Sequence, residues 1–213
     1  MRAVKKFDNA KVGLTRAELA VLKKLNTPQK IQDFVSAIPQ NFEENGDSCM
    51  SVREVLRTRR AHCIEGALVA ALALWIHGNP PLLLDLGAVN DDDHVVALFR
   101  RNGHWGAISK GNHLVVRYRD PIYRTLRELA LSYIHEYYNA KGVKTLRTYS
   151  RSFNLSTYKP EVWITGRDSW KIAEDLCDIH HFDLLEKGQE KLLRPLDNFE
   201  KTLLSITEYK RKK

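Results

Sequence analysis

The sequence predicts an α+β fold, on three observations. The first third carries helix start signals, each a capping residue ahead of an apolar-periodic stretch. The middle third breaks into short apolar runs around Asn102-Gly103, the strongest short hairpin signal a sequence offers. Between them lies a stretch, residues 63–77, that is apolar almost all round and therefore reads as a buried helix. Helices, then antiparallel strands, then helices is the α+β order.

Residues 14–25 place Leu19, Ala20, Leu22 and Leu25 on one helical face. Thr27-Pro28 reads as an N-cap followed by proline at the first helical position, opening a helix through Ala37. Pro39 and the polar residues 40–47 form a loop. Ser51 caps a short helix over 52–59. In residues 63–77, Ala67, Ala70, Ala71 and Ala73 let neighbouring backbones approach, and Gly78, Asn79, Pro80 and Pro81 stop the helix. Strands follow at 82–86, 94–99, 105–109 and 114–118. Asp120-Pro121 then reads as an N-cap opening a helix with Leu126, Leu129, Ala130, Tyr133, Ile134 and Tyr137 on one face. After Gly142, residues 144–149 and 161–165 read as strands. Residues 169–209 read as mostly helical, with breaks at Gly188 and Pro195.

The chain has 213 residues, which suits a single domain over 1–213. Hydrophobic residues at 43% and charged residues at 28% exclude disorder, collagen and low-complexity fibre. The formal charge is +8, and Lys210, Arg211, Lys212 and Lys213 contribute half of that excess. That tail is the one feature favouring a nucleic-acid partner, and the mildly basic body gives it little support. Cys49, Cys63 and Cys177 are too few for a disulfide scaffold. No apolar run opens the chain. The longest, residues 63–76, is broken by Glu65 and falls short of the roughly 20 residues of a membrane span. The expectation is a cytoplasmic protein without membrane contact.

Cys63 stands at the start of the buried helix, where the dipole and unpaired N–H groups favour the thiolate and could also hold an oxyanion. The plainer reading of a lone cysteine is a small buried hydrophobe. His94 follows Asp91, Asp92 and Asp93 and begins a strand. With a two-residue turn at Asn102-Gly103, Arg101 faces His104, Val96 faces Ser109 and His94 faces Gly111. Val96 and His94 share a face, so Ser109 lies one diagonal step from His94, roughly 7 Å or less.

Residues 47–138 resemble the transglutaminase-like superfamily of papain-like thiol enzymes. The resemblance rests on an order of elements: a short helix, Val52-Arg53-Glu54-Val55-Leu56, leading into Cys63; an alanine-rich helix ending at Gly78; His94 on a strand; and a hairpin return through Trp105 and Ile108. Small Ala61 stands two before the cysteine. His94 follows Cys63 by 31 residues, and Ser109 follows His94 by 15. The resemblance implies a papain-like core, a Cys-bearing helix packed on an antiparallel sheet, with N-terminal helices over 1–46 and a C-terminal helical extension over 169–213. It implies Cys63 as nucleophile and His94 as base and acid. The family's third member is usually an aspartate, and here that position holds Ser109. Asn112 and Asp120 are the other candidates for the orienting group.

Other signals were weighed. Asp91, Asp92, Asp93 and His94 are consecutive and read as a solvated turn rather than a hard-metal site. Cys177, His180, His181 and Asp183 lack a second ligand pair for zinc. His62 and His104 lie near the site in sequence without the hairpin geometry that supports His94. Arg57, Arg59 and Arg60 read as acidic-substrate contacts or as solvated charges. No cofactor is expected. The reading is a thiol enzyme hydrolysing an amide, peptide or related acyl bond, its partner a peptide, protein or small amide. The alternatives are a catalytically degenerate relative that binds or scaffolds, and a nucleic-acid-associated protein using the basic tail.

Overall fold

The computed structural model describes residues 6–44 and 46–211. Residues 1–5, and Lys212 and Lys213 of the basic tail, lie outside the described residues.

Four short helices open the chain: α1 (Asn9–Val12), α2 (Arg16–Lys24), α3 (Pro28–Ala37) and α4 (Val52–Thr58). Each of the last three is capped by a hydroxyl: Thr15 Oγ1 accepts from Glu18 N, Thr27 from Lys30 N and Ser51 from Glu54 N. These bonds satisfy donors that a helix start leaves unpaired. Arg53 Nε pairs with Glu18 at 2.7 Å, tying α4 to α2. The fifth helix, α5 (Cys63–Ile76), has no polar face, and every residue from Ile64 to Trp75 is buried.

The strands are β1 (Leu82–Ala88), β2 (His94–Arg101), β3 (His104–Ser109), β4 (Arg119–Tyr123), β5 (Leu146–Ser150), β6 (Phe153–Asn154) and β7 (His181–Asp183). They form one antiparallel sheet in the order β4-β3-β2-β1-β5-β7, with β6 also on β1. Asn102 and Gly103 both have positive φ, as a primed hairpin turn requires, and the register pairs Val96 with Ser109 and Arg101 with His104. The sheet is covered on both faces. Leu83, Val95, Ala97, Phe99 and Ile108 pack with α2 to α5, while Leu84, Val96, Leu98 and Ala107 pack with Leu129, Tyr133 and Ile134. Period-two alternation sorts the two sets. The class is thus α+β with an antiparallel sheet, and no helix among the described residues is long and apolar enough to cross a membrane.

Four local expectations fail. Residues 114–118 are an irregular loop, not a strand. Val116 has φ +58°, and its backbone is held by side chains, N–H to Glu136 and C=O to Ser109. Asp120-Pro121 does not cap a helix but lies inside β4, an edge strand where a missing N–H costs no ladder bond. The helix α6 (Leu126–Leu131) is capped instead by Thr125, whose hydroxyl accepts from Glu128 N. Residues 161–165 fall not in a strand but around α7 (Pro160–Trp163), with Pro160 in its first turn, a start signal that outranks the β-branched residues following it. Residues 169–209 hold one α-helix, α8 (Trp170–Asp178), followed by β7 and short 3₁₀ turns, so the C-terminal extension is only partly helical and lends the sheet a strand. His94 pairs across to Leu86 on β1, and β3 ends at Ser109 before reaching Gly111.

Gly66, one turn into α5, is where Lys110 crosses the helix. A Cβ there would collide with Lys110 Cβ and Cγ, both close to the backbone of the strand end. Gly66→Ala is expected to destabilise the protein by about 1–3 kcal/mol, the usual range for overpacking, read as a lower denaturant midpoint at unchanged slope.

Candidate functional site

Three element ends meet at one rim of the sheet: the N-terminus of α5, the start of β2 and the end of β3. They bring Cys63, His94 and Ser109 together. Cys63 and His94 line a cavity of about 710 Å³ with His62, Asp93, Lys110 and Tyr137 among the other walls. The Cys63 thiol lies against the side chains of both His94 and His62, and their interaction with it favours the thiolate. His94 Nε2 lies 2.8 Å from Ser109 Oγ, and the edge of Tyr137 stands against the His94 ring with centroids 6.5 Å apart.

Ser109 fixes the His94 tautomer. Its hydroxyl donates to the Val116 carbonyl at 2.6 Å, and a carbonyl only accepts. The Ser109 oxygen therefore accepts from His94 Nε2–H, which leaves Nδ1 with its lone pair toward the thiol. The strand end carrying Ser109 is itself clamped. Gln32 of α3 donates Nε2–H to Ser109 O at 2.8 Å and accepts from Ser109 N at 3.0 Å, copying the pairing of an absent strand.

His62, the residue before the nucleophile, is the second imidazole. Its Nε2 lies 2.8 Å from Ser48 O and 3.3 Å from Glu65 Oε1, with Glu43 Oε1 at 3.7 Å. Glu65 is fully buried and accepts from Asn41 Nδ2, Ser48 Oγ, Met50 N and His62 N. The packing around the sulfur raises the thiol pKa, but hydrogen bonds from His62 and His94 outweigh it and bring Cys63 down to about 5. Burial opposes charge on His62, yet hydrogen bonds to Cys63 and Glu65 push its pKa well above the ordinary imidazole value. Burial likewise raises Glu65, and the His62 bond reverses this to hold it below the usual carboxylate range. By contrast burial drives Cys49 up to about 12.

The remaining candidates lie elsewhere. Asn112 lines the cavity, but its amide is spent on the C-terminal segment: Nδ2 donates to Tyr209 O at 3.0 Å and Oδ1 accepts from Tyr209 N at 2.8 Å. Asp120 is exposed on β4, beside Arg119, which pairs with Ala107. That level of the sheet is that of Leu98 and Phe99, several residues along β2 from His94. Neither orients His94. Arg57 forks onto Glu54. His181 lies on β7 rather than a helix and bonds Asp85 at 3.1 Å. Among the described residues no group of three or more His, Cys, Asp or Glu side chains is arranged to hold a metal. Lys110 is buried with no hydrogen-bond partner for Nζ among the described residues, and it lies 4.9 Å from the Tyr209 ring centroid. Burial lowers its pKa to about 8.

The sequence reading sets one site residue, His62, aside and misses another, Gln32. His62 had a local signal, since Glu65 three residues on gives the spacing of a capping box, and the Glu65 carboxylate does accept from His62 N at 2.9 Å. Gln32 had none: it lies 77 residues from Ser109. No family model matches the chain, and a search of curated proteins finds no significant match.

Iodoacetamide with peptide mapping is expected to label Cys63 first, its rate rising through a midpoint near pH 5. Cys49, buried and held protonated, stays unlabelled in the native state. Faster labelling of Cys49 or Cys177 contradicts the arrangement. A second expectation concerns Ser109. An aspartate there sets a carboxylate against the Val116 carbonyl, where the serine donates. Ser109→Asp is therefore expected to lower stability by about 1–3 kcal/mol, measured by denaturant titration, rather than to reinforce His94.

Proposed function

We propose that the protein is a thiol hydrolase of transglutaminase-like type, cleaving an amide, peptide or related acyl bond through a Cys63 thioester. The observation that carries the reading is a helix-start cysteine, lying against His94 and opening on a cavity, with His94 Nε2–H committed to Ser109. The order of elements that resembles the superfamily points the same way.

In this reading the Cys63 sulfur attacks the carbonyl carbon and the C=O electron pair moves onto oxygen. The first-turn N–H groups of α5, which a helix leaves unpaired, face the developing oxyanion. His94 Nδ1 takes the thiol proton and returns it to the leaving nitrogen as the C–N bond breaks. Water then attacks the thioester with His94 as base, and the acid departs as the S–C bond breaks. A peptide or small amide fits the half-open cavity. A second reading, a binding or scaffold protein on the same fold, is favoured by one observation: the family's acid position holds neutral Ser109.

p-Nitrophenyl acetate separates them. The enzyme reading expects acetylation of Cys63 in the intact mass, continued release of nitrophenol after the first equivalent, and a loss of about 10²–10⁴-fold in His94→Ala. A single equivalent without turnover favours the scaffold. Acetylation that ignores His94→Ala overturns the assignment of the base.

A further inference from the structure

We propose that His62, held by Glu65, is the standing counter-ion of the Cys63 thiolate: at rest His62 holds the proton that left the sulfur. The proposal concerns the resting state of the thiol, so it holds or fails independently of turnover.

The hydrogen-bond pattern leaves both rings able to take the thiol proton. Both rings interact with the thiol, and with both Nε2 atoms engaged elsewhere Nδ1 is the nitrogen left to each ring for the sulfur. His62 Nε2 faces the Ser48 carbonyl at 2.8 Å, which obliges Nε2 to carry a proton. His94 Nε2 must also carry one, since the Ser109 hydroxyl hydrogen is committed to Val116. The thiol proton can therefore pass to either Nδ1 and make an imidazolium. The surroundings decide which. Beside His62 stand two carboxylates, Glu65 Oε1 at 3.3 Å and Glu43 Oε1 at 3.7 Å, and Glu65 is cut off from water, where charge–charge attraction is least screened. His94 has a neutral hydroxyl as its Nε2 partner. An imidazolium at His62 is stabilised on both sides, by Glu65 and by the thiolate, and completes an alternating carboxylate–imidazolium–thiolate row. The proton transfer balances: the S–H bond breaks, the N–H bond forms at His62 Nδ1, and no co-reactant is needed.

The arrangement also accounts for Glu65. A fully buried carboxylate on an otherwise apolar helix is costly unless paired and hydrogen-bonded. Four neutral donors satisfy its lone pairs, and the His62 ring supplies the opposite charge. At rest the proton sits on His62, and on the hydrolase reading it returns through the sulfur to His94 Nδ1 as the substrate is attacked, so the leaving nitrogen receives the one proton that left the thiol. The acid missing beside His94 is thus supplied on the other side of the sulfur.

The decisive measurement uses the unaltered protein. Imidazole ¹⁵N NMR at neutral pH is expected to find His62 as imidazolium and His94 as the neutral Nε2–H tautomer. Blocking Cys63 with methyl methanethiosulfonate removes the thiolate and is expected to make His62 easier to deprotonate, lowering its titration midpoint by roughly one to three units, while Glu65 remains. In a second arm, the pH profile of Cys63 alkylation is read in His62→Gln and His94→Gln. The midpoint is expected to rise by roughly one to three units in His62→Gln and by less in His94→Gln. Glu65→Gln should move it in the direction of His62→Gln. A neutral His62 in the resting protein, an imidazolium on His94 instead, or a midpoint that follows His94→Gln alone overturns the proposal. A thiolate–His62 pair in a protein that p-nitrophenyl acetate fails to acylate leaves this inference standing and removes the hydrolase reading.

Discussion

A carboxylate without access to water organises the reactive end of this molecule. Glu65 lies inside the first turn of α5, and four donors from three separate stretches of chain converge on it: Asn41 and Ser48 from the loop, Met50 N from the approach to α4, and His62 N from the helix entry. Backbone pairing of Asn41 N with Ala61 O at 3.1 Å and of Ala61 N with Pro39 O at 3.0 Å brings part of this chain to the helix entry, and the buried charge gathers the donors around it. The loop over residues 40–50 contributes few apolar side chains of its own to the core, so polar convergence positions it. The position of Cys63 is a by-product of that convergence, because the same capping contact that closes the helix start aims the thiol along the rim.

The two sides of the sulfur follow different design rules. Toward α4 and the loop the environment is ionic and closed. Toward the sheet it is neutral, made of a hydroxyl, a carbonyl and an amide: Ser109, Val116 and Gln32. Each of these is fully bonded, and each depends on a partner distant in sequence. Neutral networks of this kind fix orientation without fixing charge. A histidine mounted on such a network is held in place.

Legibility in the sequence tracked the range of the interaction. The N-caps Thr27 and Ser51, the all-round apolar α5 and the Asn102-Gly103 register are local, and each appears as read. The register alone was enough to place Ser109 next to His94. Residues 114–118 look like a strand by composition, but the loop is set by Ser109 and Glu136, which composition does not reveal. Asp120-Pro121 has the form of a helix cap and the location of a sheet edge, a choice that only the tertiary pairing with β3 makes. His62 lacks the hairpin geometry that supports His94, although Glu65 at the capping spacing marks it. The clamp by Gln32 rests on a contact between α3 and a strand far along the chain, and no periodicity announces it.

The apolar character of α5 has a consequence for the chain as it is made. A helix with no polar face has nowhere to rest until both of its covers exist, and one of those covers, the β2–β3 hairpin, ends at Ser109, 33 residues after Ile76. At roughly 5–20 residues per second, α5 spends on the order of 2–7 s outside the ribosome before that hairpin is complete. During that interval the helices α2 to α4 are its only shelter, and they cover one side. The side of α5 that the hairpin later covers therefore stays open to water over that interval.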